Sequence, residues 1–164
     1  MKFGLFGINT GACARPETSA RIARAAEAAG FDSVWTGEHV VLPDPQAPPS
    51  PAPPQHPMLD PAVALAFLAA HTQRVRLGTG IIILPQRNPL VLAKELATMD
   101  VLTDGRVEIG LGAGWMKSDY EQTGIAYDRP GVRIERLEEA LAVIKGAMAD
   151  GPFSFVGRHY TVTD

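Results

Sequence analysis

The sequence predicts an α/β protein with a parallel sheet of the (β/α) TIM-barrel type, comprising about the first four of eight units and a C-terminal β-hairpin. Three observations predict it. Four apolar strand patterns, Lys2–Asn9, Ser33–His39, Val75–Pro85 and Arg106–Trp115, each run into a polar or glycine-rich tip. Helical patterns follow them, and strand, loop and helix repeated in that order build parallel sheets. The tips carry His, Glu, Trp and Gly, and the carboxyl ends of such strands are where chemistry collects. Four units fill half of an eight-unit barrel, so 1–164 reads as a single, partial barrel domain.

Each element has its own signals. The first strand leads to Pro16 and Glu17, a helix start, and this helix offers Ile22, Ala25, Ala26 and Ala29 as its apolar stripe before Gly30 ends it. The second strand follows at once. Residues 42–61 hold most of the prolines and form neither a helix nor a central strand. This Pro-rich loop is either a surface loop or a lid over a strand-end pocket. Asp60–Pro61 is an N-cap followed by proline at the first helical position, with Val63, Phe67 and Ala70 expected to face inward. Asn88–Pro89 repeats the device and opens a helix to about Leu102, and Thr103–Gly105 makes a turn. A last helix begins at Asp128–Pro130. Its apolar face reads as Ile134, Leu137, Leu141, Ile144 and Met148, and Arg133, Glu135, Arg136, Glu138 and Glu139 read as solvated. Residues 153–162 alternate about Gly157, as a hairpin does.

Composition narrows the function classes. A net charge of −3 and the lack of a basic run leave no footprint for nucleic acid. No apolar stretch approaches the roughly 18 residues that span a bilayer, so no membrane role is expected. The single cysteine, Cys13, excludes an internal disulfide and fits a reducing compartment, with the cytoplasm as the expected location.

Several residues are suited to chemistry. Gly110–Trp115 (GLGAGW) lacks the sixth-position glycine of a dinucleotide fingerprint. Its glycines, Gly110, Gly112 and Gly114, serve either tight turns or the close approach of a flat ring. Gly78, Thr79, Gly80 and Ile81 place glycine inside a strand, which suggests a bulge able to press on one face of a ring. His39 beside Glu38, beneath the proline loop, is either structural or a proton donor. Trp115 is either a core aromatic or the wall of a planar-ligand site, and Ser118 just beyond it adds a polar group. No histidine spacing suits a metal.

Three segments together resemble the luciferase-like monooxygenase family, most closely its branch of deazaflavin (coenzyme F-420)-dependent oxidoreductases: GFDSVWTGEHVVLP at 30–43, the run from Asp60 to Trp115, and FSFVGRHYTVTD at 153–164. The resemblance implies a (β/α)8 barrel with the cofactor ring at the C-terminal mouth, over a bulge with a non-prolyl cis peptide at Gly80–Ile81. It implies hydride transfer between the coenzyme and a small organic substrate, with His39 as the active-site histidine beside the acid Glu38. Gly110, Gly112 and Gly114 would frame the ring edge, and Gly7, Ile8 and Asn9 would line the pocket floor. Trp115 stands where some members carry an acid, which argues against the sugar-phosphate dehydrogenase branch. The same fold with FMN and oxygen would be a monooxygenase, and a non-catalytic half-barrel assembly module is the reading from another class. Family members continue with strands five to eight, so a homo-oligomer or a complementary half-barrel chain is the expected partner, unless the chain is an inactive fragment.

Overall fold

The computed structural model describes residues 1–164. Four strands form a wholly parallel sheet in the order β1-β2-β3-β5: β1 (Gly4–Phe6), β2 (Ser33–Thr36), β3 (Arg76–Thr79) and β5 (Val107–Glu108). Past a break, β4 (Ile82–Ile83) and β6 (Leu111–Gly112) pair in parallel again. The third and fourth predicted strands are therefore each two short pieces. The break carries a non-prolyl cis peptide at Gly80–Ile81, where the resemblance placed it. Thr79, wholly buried, clasps the two chains there. Its hydroxyl donates to the Gly110 carbonyl at 2.8 Å and accepts the Gly110 N–H at 2.9 Å. Only glycine fits opposite, because a Cβ on Gly110 would lie 2.1 Å from the Thr79 carbonyl oxygen.

The helices α1 (Pro16–Ala28), α2 (Pro61–Ala69), α3 (Pro89–Leu102) and α5 (Pro130–Ala147) accompany this sheet, while α4 (Lys117–Gln122) is a short helix of six residues before α5. Alternation along each strand sends Val34 and Leu77 to the helix side, where they join Leu65, Leu68, Leu92, Leu96 and Ile144 in one buried cluster. The predicted caps are present. Asp60 accepts from Val63 N at 3.0 Å, and Asn88 from Leu90 N and Val91 N at 3.0 and 3.1 Å. The hairpin β7 (Phe155–Val156) and β8 (Thr161–Val162) is also present. No helix is long and apolar enough to cross a membrane.

The helix faces differ from expectation. On α1 the buried side is Ser19, Ala20, Ala23 and Ala26; Ile22 packs at its edge, and Ala25 and Ala29 are exposed. On α2 Ala64, Leu65 and Leu68 turn inward and Val63, Phe67 and Ala70 outward. That helix is apolar almost all round, so its pattern has no direction and the sheet decides which side is buried. On α5 the buried residues are Arg133, Ala140, Val143 and Ile144, with Leu137 packed alongside; Ile134, Leu141 and Met148 are largely exposed. Ala140 and Val143 take the contact together with Ile144 and Leu137, and Ile134, Leu141 and Met148 of the expected stripe flank it.

The supposedly solvated charges also have structural work. Glu139 accepts the N–H groups of Arg158, His159 and Tyr160 at 2.9, 2.8 and 3.2 Å, fastening the hairpin to α5. Glu27 does the same for Gln73, Arg74 and Val75, pinning the turn before β3 to α1. Burial alone would raise the Glu27 pKa. The three N–H groups and the Arg74 charge outweigh it and hold the carboxyl below its usual range.

Replacing Thr79 by valine keeps the shape and leaves the Gly110 N–H unpaired, while Gly110 O keeps the Ile82 N–H at 2.9 Å. Thermal unfolding of Thr79→Val is expected to show a loss of about 2–3 kcal/mol; an unchanged Tm would mean that the clasp contributes nothing.

Candidate active site

At the carboxyl ends of the strands lies a cavity of about 500 Å³. The ends of β1 and β2 contribute Phe6, Thr10, Gly37, Glu38 and His39, the broken third strand Gly80, Ile81 and Ile83, and the glycine loop Gly112 to Trp115. Pro51 and Met58 of the proline-rich loop also line it. That loop is tied down by Thr10 Oγ1 against His56 Nε2 at 2.7 Å, Gly11 N to Pro57 O at 2.9 Å and Leu59 N to Asn9 O at 2.9 Å.

His39 is the titratable group best placed for chemistry. Its side chain is 11% exposed, and Nδ1 stands 2.8 Å from Asp119 Oδ2, whose side chain is 1% exposed. A carboxylate only accepts, so Nδ1 carries the proton and Nε2 is left free. Nε2 has no partner within the protein. Asp119 Oδ1 likewise has none, so His39 is the one partner of this carboxylate's side-chain oxygens. The Trp115 indole stands edge-on to the imidazole, with centroids 6.0 Å apart, and is 56% exposed at the rim.

Glu38, the acid next to His39 in the chain, lines the same cavity but does not pair with the imidazole. Its side chain is 3% exposed; one oxygen accepts Ile83 N–H at 2.5 Å and the other is ion-paired with Arg87. Arg87 also reaches Asp60 at 2.9 Å. Burial would lower the Arg87 pKa, but the Glu38 and Asp60 carboxylates outweigh it and raise it. Both Glu38 oxygens are thus committed to holding the mouth together.

The first-strand tip also differs from expectation. Gly7 turns the chain at φ +86°, Ile8 is in the core, and Asn9 is fully buried. The Asn9 amide donates to Gly37 O at 2.8 Å and Leu59 O at 2.7 Å and accepts Gly37 N–H at 3.0 Å. It positions the cavity wall without lining it; Phe6 and Thr10 on either side do the lining. Thr79 and Gly110 are spent on their clasp, and Ser118 does not line the cavity. The structure brings together Glu38, His39, Gly80, Ile81, Gly112, Gly114 and Trp115 of the predicted set. Sequence reasoning missed Phe6, Met58 and, above all, Asp119 as the partner of His39.

Gly114 has φ +67°, and a Cβ there would fall 2.7 Å from Ile83 and 2.8 Å from the Tyr120 hydroxyl. The cavity wall is bare main chain at this point, as it is at Gly80 and Gly112, and a planar ring can lie against it. These residues fit a flat redox cofactor.

Fold and site together define a parallel β/α architecture with an apolar mouth at the strand ends, faced by one histidine–carboxylate pair. The chain belongs to the luciferase-like monooxygenase family, whose family model matches residues 1–164. It is 33% identical over 120 residues to the oxygenase component of a flavin-dependent trigonelline monooxygenase from Acinetobacter baylyi, covering 73% of this chain and 30% of that one. It is 31% identical over 143 residues to an F-420-dependent glucose-6-phosphate dehydrogenase from Amycolatopsis mediterranei, covering 85% and 40%. Among solved structures it is similar to an F-420-dependent secondary alcohol dehydrogenase, with a TM-score of 0.79 and 25% identity over 99% of this chain and 46% of that one. The chain spans about half the length, or less, of the curated relatives it matches. The family thus contains both F-420-dependent and flavin-dependent relatives of this chain.

Behind the loop, burial pushes the Tyr120 hydroxyl up to about 12, against the opposing pull of Arg133. A raised tyrosine pKa means that the folded state keeps its proton while the unfolded chain loses it. This contribution to stability is complete below about pH 10 and is lost as pH rises toward about 12. Alkaline unfolding curves are expected to steepen in that window, and to flatten in Tyr120→Phe.

Proposed function

We propose that this chain forms the ring-binding and substrate-binding mouth of an oxidoreductase that moves a hydride between a 5-deazaflavin, coenzyme F-420, and a small organic substrate. The observation that carries the reading is the His39–Asp119 pair, at 2.8 Å, set into a cavity walled by Gly80, Ile81 and Gly112 to Trp115. When bound, a deazaflavin supplies two-electron hydride exchange. His39 presents Nε2 to the cavity and takes the hydroxyl proton of an alcohol as its carbon gives up hydride, or returns that proton to a carbonyl oxygen in the reverse direction. Asp119 holds the ring in the tautomer that leaves Nε2 free and offsets the charge when both nitrogens are protonated. Met58 and Pro51 exclude water from above. Phe6, Ile81 and Trp115 make the wall apolar, which suits a substrate with one oxygen function on a hydrocarbon body. The single cysteine fits a reducing, cytoplasmic setting.

The sheet of this chain has β1 at one edge and β5 at the other. Phe3 and Phe6 are exposed beside the first edge. We read these edges as closing on further β/α units, from a second copy or a complementary chain. The similarity to a flavin-dependent monooxygenase favours the second reading, in which FMN and molecular oxygen replace the deazaflavin.

Titration with F-420 and, separately, FMN separates the two. The first reading expects F-420 to bind and to be reduced by a secondary alcohol without oxygen uptake. Under it, His39→Gln is expected to slow turnover by about 10²–10⁴-fold with the coenzyme still bound, and Asp119→Asn to slow it less. Oxygen uptake with reduced FMN alone would replace this reading by the second, and binding of neither ring would remove both.

A further inference from the structure

Three consecutive carbonyl groups at the cavity wall are each held from behind by a side chain. The Tyr120 hydroxyl donates to Ala113 O at 2.6 Å, Arg133 Nη1 to Gly114 O at 3.0 Å and the Tyr127 hydroxyl to Trp115 O at 2.9 Å. The three side chains form one cluster. The two tyrosine rings meet at 5.2 Å, and the Arg133 guanidinium lies 4.0 Å from the centroid of the Tyr127 ring. None of the three lines the cavity, whereas Ala113, Gly114 and Trp115 do. The cluster therefore stands on the far side of the loop.

In a trans peptide unit the N–H points opposite to the C=O. Drawing these carbonyls back onto the cluster turns the N–H groups of Gly114, Trp115 and Met116 toward the cavity side. None of the three donates to an acceptor within the protein. Backbone donors facing a largely apolar recess, whose polar lining residues Thr10, Glu38, His39 and Asp119 accept none of them, need an acceptor from outside the chain. A buried arginine is a costly way to hold a turn unless the turn matters.

We infer that the Gly114–Met116 amides are a donor site for a carbonyl oxygen, or an oxygen carrying delocalised negative charge, on a ligand lying against Gly80–Ile81. Tyr120, Arg133 and Tyr127 are its positioning residues. The inference rests on the reading of the cavity as a redox-ring site. Charge narrows the ligand chemistry. No lysine or arginine lines the cavity, Glu38 is paired with Arg87, and Asp119 with His39. A phosphate would meet N–H donors and no countercharge, whereas a single ketonic or amide-like oxygen needs none. Such an oxygen exists on a flavin or deazaflavin ring and on a ketone substrate, and the amides would take either.

The test uses the isotope-labelled chain, amide proton–nitrogen correlation spectra and quenching of ring fluorescence. The probes are lumiflavin (a flavin ring without phosphate), F-420, cyclohexanone and inorganic phosphate. Lumiflavin is expected to be quenched and to move the amide protons of Gly114, Trp115 and Met116 downfield. In Arg133→Met the shifts should shrink and lumiflavin affinity should fall about fivefold, with recovery in Arg133→Lys. Tyr127→Phe, at a more exposed position, should keep the fold and lose mainly the Met116 shift. If cyclohexanone rather than lumiflavin moves these amides, the inference holds with the substrate as the oxygen source. Quenching with the three amides unmoved overturns the donor site and leaves the redox reading standing. Shifts produced by phosphate alone also overturn it. Failure of both lumiflavin and F-420 to bind removes the redox reading and the donor site together.

Discussion

The Glu38 carboxylate is the constraint on which the mouth of this fold depends. It is almost wholly buried at the end of the second strand, and a buried carboxylate is tolerable only when its oxygens are satisfied. Ile83 N–H takes one and Arg87 the other, and Arg87 continues to Asp60, whose second oxygen caps α2. One charge thus ties together the second strand, the piece of the third beyond the break and the helix after the proline-rich loop. His39 follows directly in sequence. Its backbone is fixed by this network, and its own N–H reaches Met58 Sδ at 3.2 Å. The ring is left only the choice of direction, and Asp119 sets that. The structural pair and the chemical pair are adjacent, and the first makes the second precise.

Local signals with a direct backbone cause were readable. Asp60 and Asn88 followed by proline mark helix starts because the side chain must accept the first free N–H groups, and both do. Alternation about Gly157 marks the hairpin. Which helix face is buried was much less readable. The α2 sequence PAVALAFLA is apolar in every direction, so only the position of the sheet selects Leu65 over Phe67. Arg133 has the composition of a surface residue, and its burial follows from partners at Gly114 and Tyr127 that no local pattern encodes. The site divides the same way. Glycines at strand tips announced a bare wall, and Gly80, Gly112 and Gly114 form it. Asn9 looked equally suitable for a ligand, yet its amide is consumed by Gly37 and Leu59. Asp119 pairs with a histidine 80 residues away, which sequence spacing cannot reveal. Its burial did leave a trace, because Met116, Asp119 and Tyr120 share one helical face and all are buried.

Carboxylates that grip the backbone recur in this chain. Glu27 holds three consecutive N–H groups before β3, Glu139 holds three in the hairpin turn, and Glu38 holds Ile83. In each case an acidic side chain supplies acceptors where the chain leaves regular structure and its own carbonyls are out of reach. The acidic residues of such a sequence are therefore poor guides to its surface. Glu139 belongs to what reads as a charged helix face, and its carboxylate is occupied by main chain rather than by solvent.

The same accounting explains why only one end of the sheet is suited to chemistry. At the amino ends of the strands the polar groups are paired. Arg76 meets Glu108, and Arg106 donates to the carbonyls of Ala69, Val75 and Thr103 and to the Thr72 hydroxyl. At the carboxyl ends the large structural groups, Glu38, Arg87, Asn9 and Thr79, are paired as completely. What they hold in place is different: a wall of bare glycine main chain, and beside it one imidazole nitrogen and a run of amide N–H groups without partners in the protein. Unpaired polar groups inside a well-paired framework cost stability, and a ligand that pairs them recovers that cost on binding. The asymmetry between the two ends is thus energetic before it is functional. The end that folding leaves unfinished is the one where a ligand can complete the hydrogen-bond account.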